Sequence, residues 1–372
     1  MTRQSIPLGR IFGIPIALDY SWFLIFVLLT WMLATSYYPS EFKGWAPVLY
    51  WITGAATAIM LFVSVLLHEL GHSVVALAYK VPVRRITLFI FGGVAEIGGE
   101  PPSAKAEFFI AIAGPIVSLL LGIVFHLLQR PAGGISPLLG LAEYLAYINF
   151  ALALFNLIPG FPLDGGRVFR AIVWAITGNM SRATLIAANV GRGFAFLFIF
   201  LGVLQVIGGN FGNGIWIAFI GWFLDNAASA QIHQVAFQRT LAGHTVSQAM
   251  NPHYSIVPAE ATLQELVDEH ILGSGIRSFV VGRPEQPIGL MTLHRVKQVP
   301  RSQWAATSAA QVTIPLADVK RTTPNSLVWS AMQEMDRDGV NQLLVMTNNH
   351  IVGMLSREDV ITFLRGLQEL GV

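Results

Sequence analysis

The sequence contains no cysteine and few charged residues. Without cysteine the chain cannot form disulfides, zinc ribbons, iron–sulfur clusters or thiol nucleophiles, so any metal must be bound by histidine and carboxylate side chains. Charged residues make up 12% of the 372 residues, against about 25% in a soluble chain, whereas 54% are hydrophobic. The net charge of +2 is too small and too dispersed to indicate a nucleic-acid partner. We therefore expect most of the chain to lie in a lipid bilayer.

The few charges are distributed unevenly. The first 243 residues carry 13 basic and 9 acidic residues, whereas the last 129 carry 10 and 12. The charged share thus rises from about 9% to about 17%, nearer to the value for soluble proteins. This shift predicts a membrane domain at 1–239 followed by a more soluble domain at 240–372. The predicted fold class is an α-helical polytopic membrane protein with a C-terminal α/β domain.

Six apolar runs are long enough to cross a membrane as helices, which takes about 20 residues. They are Ala17–Tyr38, Val48–Tyr79, Phe108–Leu128, Leu139–Ile158, Leu185–Gly208 and Ile215–Val235. The first run includes Asp19 and lacks a small-residue cleavage site, so we expect a retained span rather than a removed signal peptide. Most basic loop residues fall on one side, and only Lys43 and Arg130 fall on the other. This asymmetry predicts a multi-pass protein of the cell membrane with both termini in the cytoplasm.

A polar, glycine-rich stretch at 81–102 interrupts the apolar runs. Within it, Arg85–Phe91 and the Val94–Ile97 segment have the composition of short strands, and Gly92-Gly93 separates them. The pattern predicts a small β-hairpin at the cytosolic face. An unpaired strand edge at this depth can pair with another extended peptide.

A histidine pair lies within the second apolar run, in His68-Glu69-Leu70-Gly71-His72. On a helix, the two histidines fall on one face, where both imidazoles can bind one zinc ion, and Glu69 lies beside them to act on water. The alternative is a hydrogen-bonded polar patch that joins helices. Ionisable side chains in hydrocarbon are costly unless paired or ligated, which favours a metal site.

A catalytic zinc site needs a third protein ligand and an open position. At the cytosolic end of the fourth run, the segment from Asn156 to Arg167 contains two prolines and three glycines that break the helix. Broken backbone at membrane depth is tolerated where it lines a cavity. Asp164 is the only acidic residue in this segment, so we predict that it is the third ligand. The alternative is that Asp164 caps the helix that follows.

The two motifs together resemble those of the site-2 proteases, which are intramembrane zinc metalloproteases that cut other proteins within or beside their transmembrane helices. The motifs are His68-Glu69-Leu70-Gly71-His72 and the later Asn156…Pro159…Pro162-Leu163-Asp164-Gly165-Gly166. The opening Gly13–Trp22 segment and Phe91-Gly92-Gly93-Val94 resemble members that carry a cytosolic regulatory domain, so the resemblance covers essentially the whole chain.

This resemblance implies a role for each motif residue. His68, His72 and Asp164 would bind one Zn²⁺, and Glu69 would be the general base that takes a proton from the attacking water. Asn156 would hold the substrate backbone or the oxyanion, although an asparagine at membrane depth can equally join helices. The Gly92-Gly93 hairpin would offer its edge to an unwound segment of a transmembrane protein substrate.

Two segments of the C-terminal domain, at about 244–298 and 311–370, are alike and predict a tandem α/β pair. The pair resembles cystathionine-β-synthase (CBS) domains, which implies an adenine nucleotide as a second ligand. In this reading the Ser356 hydroxyl would contact phosphate and Asp359 the ribose. The first copy keeps a hydroxyl at Thr292 but has Arg295 in place of the acid. The alternative is a purely structural pair that forms homodimers, because such residues also cap helices.

The resemblance therefore predicts regulated intramembrane proteolysis, modulated by a nucleotide in the CBS pair. Two other functions are compatible with the sequence: a membrane transporter gated by the CBS pair, and a catalytically silent binding protein stabilised by zinc. Hydrolysis is favoured because a merely structural zinc site has no use for the free carboxylate of Glu69.

Overall fold

The protein consists of two structural units of different kinds. The structure, a computed structural model, describes residues 5–133, 135–273, 275–348 and 350–370. The chain divides into a first unit, Met1–Val235, and a second unit, Ala236–Val372. The first is helical with one four-stranded sheet, and the second is mixed α/β. The predicted fold class is therefore confirmed.

Helices make up most of the first unit. They are α1 (Ser21–Met32), α2 (Tyr38–Glu41), α3 (Pro47–Ala78), α4 (Ala104–Ala132), α5 (Ser136–Asn156), α6 (Asp164–Thr177), α7 (Met180–Ile207) and α8 (Phe211–Leu241), which extends past the unit boundary. A π-helical turn at Leu33–Tyr37 joins α1 to α2.

Five stretches among the described residues are long and apolar enough to cross a membrane. They are Ser21–Glu41, Pro47–Ala78, Ala104–Ala132, Ser136–Asn156 and Met180–Ile207. Large apolar side chains lie on their outer surfaces, where a lipid bilayer would cover them. These stretches coincide with five of the six predicted runs. The sixth run, Ile215–Val235, lies within α8, which contains Asp225 and is not among the five, so the count of six spans stays a prediction.

The first predicted span begins too early. Residues Ala17–Asp19 belong to a strand, and the helix begins at Ser21, whose backbone N–H and hydroxyl both donate to Asp19 Oδ1. Ala17 is paired with Pro7 on one side and with Thr87 on the other. An apolar strand with partners on both sides has the same composition as a membrane helix, and the sequence alone does not separate the two.

A four-stranded sheet contains the predicted hairpin. Its strands are β1 (Ser5–Ile11), β2 (Ile14–Asp19), β3 (Val83–Phe89) and β4 (Gly92–Ile97), in that spatial order. The β1–β2 and β3–β4 pairs are antiparallel, and β2–β3 is parallel. Gly92 and Gly93 were expected to separate the two strands. They are instead the first residues of β4, because Gly93 pairs with Leu88 and Gly92 with Phe89. β4 forms one edge of the sheet.

The sheet is anchored to the middle of the histidine motif. Ile14 and Ile16 of β2 and Ile86 of β3 form a buried cluster with Leu70 of α3. Leu70 lies between His68 and His72 in sequence and on the opposite side of the helix from them. Packing of the sheet on this side therefore fixes the part of α3 that carries the two histidines.

The second unit contains two small sheets. β5 (Ile256–Val257), β6 (Ser278–Arg283), β7 (Gln286–Thr292) and β8 (Ile314–Pro315) form one, and β9 (Arg321–Thr322), β10 (Gln342–Thr347) and β11 (His350–Ser356) form the other. The helices are α9 (Val246–Ala249), α10 (Leu263–Glu265), α11 (Leu293–Val296), α12 (Ala309–Val312), α13 (Val328–Asp338) and α14 (Arg357–Leu370), with a π-helical segment at Leu266–Leu272 and a 3-10 turn at Arg301–Gln303.

The two sheets repeat one arrangement. In each, a two-residue strand runs parallel to a longer strand, which pairs antiparallel with the next: β5, β6 and β7 in the first copy, and β9, β10 and β11 in the second. Val280 and Leu290 of the first copy pack with Leu344 and Met346 of the second in one buried cluster. The predicted tandem α/β pair is thus observed, and each copy covers an apolar face of the other.

Candidate metal centre

The two histidines of α3 lie side by side near the cytosolic end of that helix in the predicted topology. Each is 4% exposed. Their spacing of four residues is about one helical turn, so both rings extend from the same face of α3. The Nε2 atoms of His68 and His72 are 3.2 Å apart.

Asp164 reaches the same point from a distant part of the chain. It is the first residue of α6, after the segment 157–163 that separates α5 from α6. Its Oδ2 lies 3.1 Å from His68 Nε2 and 3.2 Å from His72 Nε2. The side chain of Asp164 is turned toward the histidines, and the structure gives no side-chain cap for α6. The predicted convergence of three potential ligands is therefore present in the structure.

Helix α4 holds the outer nitrogen of each imidazole. His72 Nδ1 lies 2.7 Å from the Ile110 carbonyl oxygen, and His68 Nδ1 lies 2.8 Å from Ser118 Oγ. Because a carbonyl only accepts, His72 carries its proton on Nδ1, which leaves the lone pair of a neutral ring on Nε2. Such outer partners fix ring orientation and tautomer at metal sites.

A glycine of α4 makes room for these ligand atoms. A Cβ at Gly114 would lie 2.2 Å from His72 Nε2 and 2.6 Å from His68 Nε2. No other amino acid fits without moving an imidazole. Sequence reasoning missed Ile110, Gly114 and Ser118, and the only available signal was a glycine and a serine four residues apart in an apolar helix.

The three atoms fit a zinc ion. In a tetrahedral site with bonds of 2.0–2.1 Å, two ligand atoms lie about 3.3 Å apart, and the three separations observed are 3.1, 3.2 and 3.2 Å. Lone-pair atoms this close repel one another unless a cation or a proton lies among them. Two imidazoles, one carboxylate and no thiolate form a ligand set that zinc accepts. The same three residues are a group that could hold a metal within the described part of the chain.

Glu69 lies between α3 and the edge strand of the sheet. Its side chain lies close to the backbone of β4 at Gly93 and Ala95. A Cβ at Gly93 would lie 2.5 Å from Glu69 Cγ, so Gly93 lets the backbone of β4 approach the acid closely. The edge strand and the candidate general base are therefore in contact, which the sequence did not reveal.

Asn156 is the last residue of α5 and is half-buried. Within the described residues its side-chain amide makes no hydrogen bond. Asn149, two helical turns earlier, behaves differently: it is fully buried and donates to Ser64 Oγ of α3 and to the Leu145 carbonyl. The helix-joining asparagine of α5 is thus Asn149, and the amide of Asn156 is available to another molecule.

The predicted nucleotide residues of the second unit are engaged with their own helices. Ser356 Oγ donates to Asp359 Oδ2 at 2.6 Å, and Ser356 Oγ accepts from the Asp359 backbone N–H at 3.1 Å, so the pair caps α14. Thr292 Oγ1 accepts from the Arg295 backbone N–H and caps α11. A cavity of about 240 Å³, lined in part by Arg321 and Asn348, was not predicted.

That cavity lies at the other end of the second sheet from the Ser356–Asp359 pair. Ser356 is paired with Gln342 at the start of β10, whereas Met346 and Asn348, at the end of β10, line the cavity. The cavity and the Ser356–Asp359 pair therefore lie at separate places in the second unit.

Comparisons with known proteins identify the family of the chain. Peptidase family M50 matches residues 56–131 and 132–200, and the CBS domain matches residues 312–366. The chain is 36% identical over 363 residues to "Putative zinc metalloprotease Rip3" of Mycobacterium tuberculosis, a match that covers 96% of this chain and 92% of the relative. It is also 36% identical over 372 residues to "Putative zinc metalloprotease sll0528" of Synechocystis sp., covering 98% and 96%. A solved structure, "Site-2 Protease from Methanocaldococcus jannaschii", is 32% identical and covers 61% of this chain and 95% of its own, with a TM-score of 0.42.

Apolar helices of membrane length, a histidine pair with an adjacent glutamate, and a converging aspartate define an intramembrane zinc metalloprotease. The chain belongs to peptidase family M50, the site-2 proteases, and carries a CBS domain. The family resemblance inferred from the two motifs and the predicted enzyme class, an intramembrane zinc metalloendopeptidase, are thereby confirmed.

Proposed function

We propose that this protease hydrolyses peptide bonds in or near transmembrane segments of other membrane proteins, with one Zn²⁺ held by His68, His72 and Asp164. The observation that carries the proposal is the convergence of two Nε2 atoms and one carboxylate oxygen to within 3.2 Å of one another, next to Glu69. The CBS-gated transporter and the silent binding protein do not explain why an additional acid lies beside these atoms.

The residues around the metal site would have distinct roles in hydrolysis. A bound zinc ion supplies Lewis acidity to water and to the scissile carbonyl. Glu69 takes the proton of the attacking water on its carboxylate and delivers it to the leaving nitrogen. Close packing against Gly93 keeps the side chain of Glu69 beside β4. Ile110 and Ser118 keep the two imidazoles turned toward the metal.

The substrate would bind as an extended strand on β4. This strand is the edge of the sheet, so its free backbone groups can pair with a peptide. Gly93 leaves the space beside Glu69 free of a side chain, and Gly92 precedes it at the start of the strand. Asn156, whose amide has no partner among the described residues, would hold the substrate backbone or the oxyanion. A transmembrane helix must unwind to be cut, because a helix uses the backbone groups that the strand needs.

The basic loops support a protein of the cell membrane with both termini in the cytoplasm, so cleavage would occur from the cytosolic side. The protease domain would comprise 1–239 and the CBS pair 240–372, with the two CBS motifs at about 244–298 and 311–370. The pair would also be the surface through which homodimers form.

An adenine nucleotide in the CBS pair would modulate cleavage. Support comes from the CBS match at residues 312–366, which includes Ser356 and Asp359. To bind a ribose, Asp359 would have to exchange its contact with Ser356 for one with the ligand. Asp359→Ala should abolish nucleotide binding and any nucleotide effect on cleavage. Loss of nucleotide binding in this variant with unaltered, nucleotide-independent cleavage would contradict the regulatory role.

Metal analysis combined with cleavage tests the catalytic proposal. Detergent-purified protein should contain one zinc per chain, and His68→Ala and Asp164→Ala should contain none. Glu69→Gln should keep its zinc but lose cleavage of a co-expressed membrane protein. The matched control is His126→Ala, which removes an exposed histidine of α4 and should leave both unchanged. Zinc retained in Asp164→Ala, or turnover retained in Glu69→Gln, would overturn the proposal.

A further inference from the structure

A buried ion cluster joins α4 to α6. Glu107 of α4 is completely buried, and its Oε1 accepts from Arg167 Nε at 3.1 Å and from the guanidinium of Arg170. The two arginine side chains are 21% and 11% exposed. They lie three residues apart on α6 and therefore on one face of that helix. Neither the family motifs nor the proposed chemistry uses Glu107.

The cluster reaches the ligand Asp164 from both directions along the chain. Arg167 lies one helical turn after Asp164, which is the first residue of α6. Arg170 lies over the ring of Phe161, with its Cζ 5.1 Å from the ring centroid, and Phe161 precedes Asp164 in the segment that breaks the helix. Through its two arginines, Glu107 thus holds the chain on both sides of the ligand.

Helix α4 also contacts the other two ligands, His68 and His72. Ile110, three residues after Glu107, accepts from His72, and Ser118 lies further along the same helix against His68. One rigid helix therefore contacts all three ligand-bearing segments: each imidazole through one hydrogen bond, and Asp164 through the ion cluster.

A gain in folding stability does not by itself explain this buried ion cluster. Glu107 Oε2 and Arg170 Nε are buried and have no hydrogen-bond partner within the described residues. A buried charge group with unpaired atoms is often less stabilising than well-packed apolar residues of the same size. The geometry of the cluster does fix the position of α6 relative to α4, because Oε1 of Glu107 accepts from two guanidinium groups at once.

We propose that Glu107 is a positioning residue that sets Asp164 Oδ2 at coordination distance from His68 and His72. The inference rests on the proposed zinc site, because it concerns how the third ligand is held. Without the carboxylate of Glu107, Arg167 and Arg170 lose their common acceptor, and α6 can shift relative to α4. Asp164 would then leave the ion with two histidines, and zinc affinity would fall.

Zinc affinity measured by competition with a chelator tests this inference. Glu107→Gln removes the charge with little change of volume, and we expect a 10- to 100-fold weaker affinity, the usual range for residues that orient metal ligands. Glu107→Asp keeps the charge on a shorter side chain and should lie between the wild type and Glu107→Gln. Saturating zinc should restore cleavage in Glu107→Gln, which it would not do in a misfolded protein.

Asp225→Asn is the matched control. Asp225 of α8 accepts from Arg192 Nε of α7 at 2.9 Å, so it is an arginine-bound carboxylate away from the ligands. This variant should bind zinc with wild-type affinity. If Glu107→Gln does not fold, Arg167→Gln tests the same point, because it removes one contact and leaves the Glu107–Arg170 pair in place.

The outcomes separate this inference from the proposed function. A wild-type protein without zinc would overturn the zinc site itself. A wild type that binds zinc through His68 and Asp164, together with unchanged affinity in both Glu107→Gln and Arg167→Gln, would overturn the positioning role alone. Equal loss of affinity in Asp225→Asn would also overturn it, since the effect would then reflect any broken ion pair.

Discussion

The two units of the protein place their motif side chains in opposite situations. In the first unit, two imidazole Nε2 atoms and one carboxylate oxygen lie 3.1–3.2 Å from one another, and α4 holds the Nδ1 atom of each imidazole. In the second unit, Ser356 and Asp359 hydrogen-bond to each other and cap a helix. The first arrangement is unfavourable without a cation or a proton among its atoms, whereas the second is complete by itself. A bound ion would therefore complete the interactions of the first group, whereas a nucleotide would have to displace the contact between Ser356 and Asp359.

The largest effect should follow from filling the space beside the ligand atoms. A Cβ in Gly114→Ala would lie 2.2 Å from His72 Nε2, and both imidazoles are anchored at Nδ1, so they cannot move aside without losing those bonds. We expect loss of bound zinc and a fall in cleavage of at least about 1000-fold, as for loss of a catalytic metal.

Gly193→Ala in α7 is the control for Gly114→Ala, because a Cβ there meets no atom within 4 Å in the described structure. This variant should keep zinc and activity, as metal analysis and a cleavage assay would show. A Gly114→Ala protein with full zinc content would mean that the three atoms are not in the arrangement that binds the metal.

A smaller effect is expected from the outer partner of His68. Ser118→Ala removes the hydroxyl 2.8 Å from His68 Nδ1, and zinc affinity should fall by about 10- to 100-fold. Ser73→Ala is the comparison: this serine is also buried and adjacent to His72, but its hydroxyl has no hydrogen-bond partner among the described residues. Chelator competition should show no change in Ser73→Ala, and equal effects in the two variants would contradict the role of Ser118.

The two asparagines of α5 should separate substrate contact from helix packing. Asn156→Ala should lower kcat/KM by about 10-fold or more, as expected when a donor to the reacting group is lost, without a change in zinc content or thermal stability. Asn149→Ala should instead lower stability by about 1–3 kcal/mol, because it leaves the buried Ser64 without its donor. Reduced stability but normal turnover in Asn156→Ala would place it with Asn149 as a packing residue.

Part of the site was predictable because sequence spacing determines it. Four residues on a helix bring His68 and His72 together, whatever surrounds them. Asp164 was predictable only in combination with the histidine motif, because an aspartate at a helix start is equally a cap. The contribution of α4 was not predictable. A backbone carbonyl such as that of Ile110 has no sequence signature, and glycine and serine are common wherever membrane helices pack.

The fold was predictable to a similar depth. Long apolar runs identified the five helices of membrane length, and an internal repeat identified the tandem α/β pair. The four-stranded sheet was only half predicted. β2 merges with the first apolar run at Ala17–Asp19, and β1 has exposed residues without a regular alternation, so neither strand has a pattern of its own. The pairing of β2 with β3 is a long-range contact that composition does not encode.

The smallest effect is expected in the second unit. Asp359→Ala removes the acceptor that bonds both the Ser356 hydroxyl and its backbone N–H, and should lower the stability of this unit by about 1 kcal/mol, as for other capping residues. Glu358→Ala, at an exposed neighbouring position, should have no such effect. Thermal unfolding would measure the stability, and zinc content should be the same in both variants. If Asp359→Ala did not alter stability, the Ser356–Asp359 contact would not stabilise α14. The comparison of the two units would then be wrong for the second unit, because its pair would gain nothing from its own hydrogen bonds.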